Sequence, residues 1–287
     1  VTRLAVIGLG LIGGSLARAL RAAGRVSHIA AYDRDPEQGR RGLELGVIDR
    51  FAGDAASSAR DADVVVLAVP VLHTAEAAEA VRAGLSDRTI LMDVGSTKVS
   101  VLGDITRVFG DLPARFVAAH PIAGTEKSGV AASRSELFRG HRVVLTPHAG
   151  QDPGALATVR SLWESVGARV VEMDAACHDA IFAATSHLPH VLAYAFVDML
   201  TRLPNAADIF PNAGGGFRDF TRIASSSPEM WHDIVRANRV EVTGLLERQI
   251  GELQELLALM KDERWPELLM RFERARAARE RHLSQIE

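Results

Sequence analysis

The sequence predicts an α/β domain built on a parallel sheet, followed by an all-α domain, and three observations predict it. Short apolar strands alternate with helical stretches from Arg3 to about Asp174, the pattern of a parallel sheet covered by helices. The strand signal stops near Ala175. Beyond it come long helical segments, broken by Pro189, Pro204, Pro211, the Gly214-Gly215-Gly216 run and Pro228, residues that end or interrupt helices. The expected division is therefore 1–174 and 175–287, and with 287 residues, 47% of them apolar, both parts have material for a core.

In chain order, strands are expected at Leu4 to Ile7, His28 to Tyr32, Val64 to Val69, Thr89 to Val94, Arg115 to Ala119, Val143 to Leu145 and Arg169 to Glu172, with helices between them. Asp35-Pro36 reads as an N-cap followed by proline at the first helical position, so a helix starts directly after the second strand. In the second part, Ser227-Pro228-Glu229 starts one long helix. Along it Val242, Leu245, Leu246, Gln249, Leu253, Leu256, Leu257 and Met260 form a broad apolar stripe. Such a stripe calls for cover, from a second subunit or from the same domain folding back, and a homodimer is the expectation. The Arg/Glu-rich stretch from Arg271 to Arg281 reads as a solvated helix face.

Composition excludes several classes. Lys plus Arg (33) and Asp plus Glu (36) nearly balance, for a formal charge of −3, and no dense basic tract is present to neutralise a run of phosphates. Nucleic acid is therefore not an expected partner. The longest purely apolar stretches fall well short of the ~20 residues that cross a bilayer, so no membrane partner is expected either. A single cysteine, Cys177, allows no intrachain disulfide and suits a reducing compartment; buried filler is its expected role. The first residues read as a strand rather than an export leader, so the cytoplasm is the expected location.

The first strand runs into Gly8-Leu9-Gly10-Leu11-Ile12-Gly13 and then a helix, the context in which a GxGxxG run binds a dinucleotide. Gly8 permits the tight turn, Gly10 lets a pyrophosphate approach the backbone, and Gly13 lets helix and strand pack closely, while the N–H groups at the helix start face the anion. Asp33 ends the second strand twenty residues after Gly13, where the ribose-binding acid falls in this motif. The first domain is thus expected to be of the Rossmann type. A carboxylate there favours NAD over NADP, although the adjacent Arg34 could reach a 2′-phosphate.

Ligands of such sheets sit beyond the carboxyl ends of the strands. Two polar clusters lie there on short loops: Asp93-Val94-Gly95-Ser96-Thr97-Lys98, and His120-Pro121-Ile122-Ala123-Gly124-Thr125-Glu126-Lys127-Ser128-Gly129. Ser96 also suits a helix cap, and His120 a core histidine satisfied by backbone. The helical part adds Ser186-His187-Leu188-Pro189-His190, with Ser186 and His190 on one helix face and Pro189 expected to kink it. His178, His187 and His190 lack the spacing of a metal motif, so no metal is expected. Arg218 and Arg222, four residues apart after the glycine run, suit carboxylate recognition or a structural pairing with Asp219 or Glu229.

GLGLIGGSLA, DVGSTK, HPIAGTEKSG, SHLPH and GGGFRDFTRIA, in this order and spanning most of the chain, resemble the prephenate/arogenate dehydrogenases. That resemblance implies a Rossmann-type domain followed by a helical domain through which two subunits associate. It implies that His120 is the catalytic base bonded to the substrate's ring hydroxyl, with Ser96 orienting it near the nicotinamide. By the same resemblance Arg222 holds a substrate carboxylate, and His190, Glu126 and Gly215 line the pocket. His178 also falls at a matching position, and Arg218 is a second positive charge. Toward the cofactor stand Gly8, Gly10, Leu11, Ile12, Gly13, Asp33 and Ser96.

The implied reaction is NAD-dependent oxidative decarboxylation of prephenate to 4-hydroxyphenylpyruvate on the way to tyrosine; the alternative substrate is arogenate, which gives tyrosine directly. The ring carbon loses hydride, its hydroxyl loses a proton, and the ring carboxylate leaves as carbon dioxide. Positioning and one proton acceptor are the main requirements. His190 tilts the expectation toward prephenate. A β-hydroxyacid dehydrogenase shares the domain order but needs a lysine early in the helical domain, and the lysines here are Lys98, Lys127 and Lys261. A non-catalytic NAD sensor is the alternative from another class, and it would have no use for Ser96, His120 and Arg222 together.

Overall fold

The structure is a computed structural model that describes residues 2–125 and 127–283. Six parallel strands form its main sheet: β1 (Thr2–Ile7), β2 (Val26–Tyr32), β3 (Arg50–Phe51), β4 (Val64–Leu67), β5 (Ile90–Asp93) and β6 (Phe116–Val117), in the order β3-β2-β1-β4-β5-β6. Every residue of β4 and β5 is buried, because helices cover both faces and the strands read as continuous apolar runs rather than alternating ones. The first helices are α1 (Leu11–Ala22), α2 (Pro36–Glu44), α3 (Ala55–Ala59), α4 (Thr74–Arg82) and α5 (Val99–Phe109). Asp35 caps α2 as expected, its side chain accepting from Glu37 N–H with Pro36 in the first turn. One core, containing Leu16, Leu20, Ile29, Val66, Met92 and Trp163, fills one side of the sheet; a second, containing Ile7, Val65, Val81, Leu91 and Ile105, fills the other.

Strand register decides where the chemistry can be. Ile7 pairs with Tyr32 and with Leu67, and Leu67 pairs with Asp93, so the strands that lead into Gly8, Asp33 and the Asp93 loop all end in one row. Ligands of a doubly wound sheet bind along that row.

Two expectations about strands change. The two-residue β3 carries too short a pattern to be read from sequence. The single strand expected over Arg115 to Ala119 is divided between β6 and β7 (Ala119–Pro121), which belongs to a second sheet with β8 (Arg142–Leu145) and β9 (Arg169–Glu172) in the order β7-β8-β9. The chain leaves the main sheet at Ala118. There Thr146 N–H donates to Ala118 O, and Ala119 N–H donates to the Asp93 carboxylate. His120 therefore sits within a strand, opposite Val144, and not on a loop. Between β8 and β9 runs α6 (Pro153–Ser165), capped by Asp152.

The helical part opens with α7 (Ala175–Phe182), a π-helical turn at Ala183–His187, and α8 (Leu188–Thr201), which form one continuous helix. Pro189 falls in the first turn of α8, where the π turn accommodates its missing N–H. This 27-residue run is long and apolar enough, by length and composition alone, to cross a membrane. It contains His178, Asp179, His187 and Asp198 and so is not one of the purely apolar stretches weighed in the sequence. Only 22% of its most apolar window is buried, but it carries His178, Asp179 and His187, all buried and hydrogen-bonded to other parts of the chain. Cys177 on the same helix is exposed, not buried as expected.

Then follow α9 (Ala206–Ile209), α10 (Gly215–Thr221), α11 (Pro228–Ala237), α12 (Arg239–Lys261) and α13 (Trp265–Arg281). The single long helix expected from Ser227 is thus two helices. Asn238 ends α11 with its side chain turned inward, bonded to Asp179 O at 2.8 Å and to His187 Nδ1 at 3.1 Å. The chain forms two compact units, 1–239 and 240–287. In the second unit Arg271 pairs with Glu252 and Glu255.

Candidate active site

The glycine loop is shaped by contacts that its residue types permit. Gly8 has φ +97°, and a Cβ there would run into the carbonyl of Ala68; only glycine takes both the conformation and the close approach. A Cβ on Gly13 would strike Gly8 O, so α1 lies directly against the strand end. At Gly10 nothing lies within 4 Å of such a Cβ, which leaves open space before the N-terminus of α1, the place the motif reserves for a pyrophosphate. Asp33 follows β2 and accepts from Leu9 N–H at 2.6 Å and Asp35 N–H at 2.9 Å, one on each oxygen. Its remaining lone pairs are available to ribose hydroxyls. Leu11, Ile12 and Gly13 form the first turn of α1, and their N–H groups have no partner within the helix. These residues fit a dinucleotide.

The second element of the site starts from Lys98, whose side chain has no solvent exposure. Its Nζ donates to Asp93 Oδ2 at 2.5 Å and to Ala119 O at 2.6 Å. Burial pushes the ammonium's pKa below its usual range, and Asp93 opposes that shift. Asp93 also accepts from Gly95 N–H and Ala119 N–H. One carboxylate and one ammonium thus tie the end of β5 to the start of β7, and His120 follows immediately.

His120 Nδ1 lies 2.8 Å from His178 Nε2, and His178 Nδ1 lies 2.7 Å from Asp179 Oδ1. Asp179 also accepts from Lys98 N–H and Val99 N–H at the start of α5. Phe182 closes one side of the pair, its ring 5.0 Å from His120 and 4.5 Å from His178. The pKa of His120 is held well below its ordinary value, first by burial and then by the charges of His178, Lys98 and His187. It is therefore a neutral imidazole at neutral pH, as a proton acceptor must be.

Farther along the same helix, His190 Nδ1–H donates to Ser186 O at 2.8 Å, and the ring stacks on Trp231 with centroids 3.4 Å apart. Its pKa is lowered by burial and by the positive charge of Arg222, which places that guanidinium's field on His190. Arg218 is exposed on α10, which Gly215 begins and which packs on α8 through Phe196, Phe217 and Phe220. Glu126 lies outside the described residues.

Two of the expected residues stand in other contacts here. His178 was expected among the substrate contacts, but it is wholly buried and both ring nitrogens are engaged, by His120 and by Asp179. Ser96 was expected to orient His120, yet among the described residues its side chain makes no hydrogen bond to that ring, and His178 holds the Nδ1 side. Ser96 stands partly exposed on the Asp93 loop. Asp93, Lys98, Asp179, His187, Trp231 and Asn238 had no role assigned from the sequence. Lys98 closes the DVGSTK motif and Asp179 adjoins His178, and those adjacencies were the available signals.

A Rossmann-type sheet with an open glycine loop and a neutral, tethered histidine near its carboxyl edge defines a nicotinamide-dinucleotide-dependent dehydrogenase. Known proteins narrow this. Residues 16–172 match the family described as prephenate dehydrogenase, nucleotide-binding domain, and residues 174–274 the one described as prephenate dehydrogenase, dimerization domain. The chain is 36% identical over 279 residues to a cyclohexadienyl dehydrogenase of Zymomonas mobilis, covering 96% of this chain and 94% of that one. It is 36% identical over 277 residues to a prephenate dehydrogenase of Bacillus subtilis, covering 95% and 74%. Among solved structures it is similar to prephenate dehydrogenase from Aquifex aeolicus in complex with hydroxyphenyl propionate and NAD+, with TM-score 0.91, 37% identity and 98% of both chains covered. It is also similar to Synechocystis arogenate dehydrogenase, with TM-score 0.81, 27% identity and 98% and 99% covered. The chain belongs to the prephenate dehydrogenase family and is an oxidoreductase of aromatic amino acid biosynthesis.

Proposed function

We propose that this enzyme oxidises and decarboxylates prephenate with NAD, and that His120 takes the proton of the ring hydroxyl. The observation that carries the reading is the neutral His120 ring, anchored through Nδ1 at the start of β7 beside the row of strand ends. When bound, the nicotinamide supplies the hydride acceptor. Gly8, Gly10, Gly13, the first turn of α1 and Asp33 would hold the dinucleotide. The Asp33 carboxylate favours NAD because it attracts two ribose hydroxyls and repels a 2′-phosphate, and Arg34 faces Glu76 at 3.6 Å. Arg222 binds a substrate carboxylate, with Arg218, His190, Gly215 and Ser96 around the same ligand; Glu126, expected with them from the sequence, lies outside the described residues. As hydride departs, transfer of the hydroxyl proton to His120 keeps positive charge from accumulating on the ring oxygen, and loss of carbon dioxide makes the ring aromatic. The division into 1–174 for the cofactor and 175–287 for substrate and dimer contacts belongs to the same reading. So does a cytoplasmic location, which the exposed thiol of Cys177 suits.

One observation favours a second substrate. With Nδ1–H committed to Ser186 O, a neutral His190 offers only a lone pair at Nε2, and a lone pair suits the ammonium of arogenate better than the keto group of prephenate. The test is turnover by purified protein with NAD or NADP and each substrate, following reduced cofactor and identifying the product. Prephenate with NAD giving 4-hydroxyphenylpyruvate is expected. Turnover of arogenate alone transfers the assignment to the second reading, and no turnover with either substrate contradicts both.

A further inference from the structure

We propose that Asp179 and His178 are positioning residues that hold His120 as its Nδ1–H tautomer, so that Nε2 carries the lone pair that takes the substrate's proton. The inference rests on the reading of His120 as the proton acceptor and adds what makes one of its two nitrogens the reactive one.

The argument is a count of donors and acceptors. A carboxylate only accepts. Asp179 is held in place by backbone N–H groups of Lys98 and Val99, at 2.8 and 2.9 Å, and its remaining contact at 2.7 Å is His178 Nδ1. That nitrogen must carry the hydrogen. A neutral imidazole has one N–H, so His178 Nε2 is an acceptor. The group 2.8 Å from it is His120 Nδ1, which must then be the donor. The hydrogen of neutral His120 is thereby committed to Nδ1, and among the described residues no group bonds its Nε2. The order of hydrogens along the chain is dictated from its carboxylate end.

The surroundings keep that order from relaxing. His178 is fully buried, so water offers no alternative partner, and Phe182 packs against both rings. The other charged and titratable groups nearby are Lys98, whose ammonium is spent on Asp93 and Ala119 O, and His187, whose Nδ1 meets the Asn238 amide. Neither bonds the two rings. When His120 gains its proton, the imidazolium still donates through His178 toward the Asp179 carboxylate, so the same chain stabilises the product of proton transfer.

The direct test is the tautomer itself, read by nitrogen-15 NMR on histidine-labelled protein without substrate, with His120→Asn identifying the signals. A protonated Nδ1 and unprotonated Nε2 on His120 are expected; an Nε2–H tautomer overturns the proposal whatever substrate the enzyme turns over. The second test compares His178→Leu with His178→Gln, since a glutamine amide reaches the position of Nε2 and can accept from His120. His178→Leu is expected to lower kcat by about 10–100-fold, by analogy with the range found for hydrogen-bond partners that orient metal-ligating histidines. KM should stay within about twofold, and His178→Gln should recover most of the loss. Equal losses in both variants, or a loss confined to KM, make His178 merely structural and overturn the proposal.

Discussion

Lys98 Nζ and Asp93 Oδ2 form a 2.5 Å ion pair in which the lysine has no solvent exposure and the carboxylate almost none. An ion pair so placed adds little net stability over an apolar pair, but breaking it leaves a buried charge without compensation. Asp93 also bonds two backbone N–H groups, and Lys98 bonds Ala119 O, one residue before the reactive histidine. Structure and site geometry therefore depend on the same contact.

Lys98→Met is expected to cost about 3–5 kcal/mol of folding stability, measured by urea denaturation. Adding Asp93→Asn should recover part of it, because the second change removes the unpaired charge and the two residues are coupled. Strict additivity would show that the pair is not the source of the loss.

The glycine loop gives a contrast within one motif. Gly8→Ala places a Cβ against the Ala68 carbonyl at φ +97° and should lose stability by more than the ~1–3 kcal/mol of backbone strain alone. Gly10→Ala meets nothing within 4 Å and has an ordinary extended backbone, so its stability should change by less than about 0.5 kcal/mol. Affinity for NAD should nevertheless fall about tenfold or more, or ~1.4 kcal/mol, because the methyl fills the space a pyrophosphate needs. Calorimetric melting and NAD titration of both variants separate the two effects.

Acid should destabilise the fold through its buried histidines. Burial pushes His187 down to about 4 from 6.5. Between those values the unfolded chain binds a proton that the folded one refuses, so stability is fully present above pH 6.5 and is lost as pH falls toward 4. At about 1.4 kcal/mol per unit, His187 alone accounts for about 3 kcal/mol over that window. His120 and His178, also lowered by burial, act in the same direction. Denaturation midpoints between pH 7 and 4.5 measure the slope, and a flat profile contradicts it.

In the 240–287 unit, Leu253 and Leu257 are 50% exposed, Leu269 57% and Phe272 56%. Apolar surface of this kind marks a contact site, and because residues 174–274 match a family described as a dimerization domain, we propose a second copy of the chain as its partner. Light scattering should give the mass of a dimer, and Leu257→Asp with Leu269→Asp should shift it toward monomer. A wild-type monomer at micromolar concentration contradicts the assignment.

The parts of this protein that sequence reveals are those in which local residue types carry the physics. Gly8, Gly10 and Gly13 announce a backbone approach, Asp35-Pro36 announces a helix start, and the valine run of β4 announces a strand buried on both faces. The relay was not legible, because its bonds join residues 58 and 81 positions apart, His120 with His178 and Lys98 with Asp179, and no periodicity records such pairings. Nor was the passage of the chain from β6 into β7, since Phe116 to Ala119 is apolar on either side of the change of sheet. The break at Asn238 was hidden by apolar residues that continue at helical spacing through it; there the Asn238 side-chain amide turns inward and donates a hydrogen bond to Asp179 O.

The central claim is that His120 accepts the proton, and the most direct measurement is kcat for wild type and His120→Asn across pH with saturating prephenate and NAD. The account predicts a loss of about 10²–10⁴-fold, the usual contribution of a positioned base, with NAD affinity intact. It also predicts that the wild type's fall in rate toward acid pH, centred well below 6.5 because burial lowers this histidine, disappears in the variant. Turnover within a few-fold of wild type, or an acid limb that survives the substitution, would contradict it.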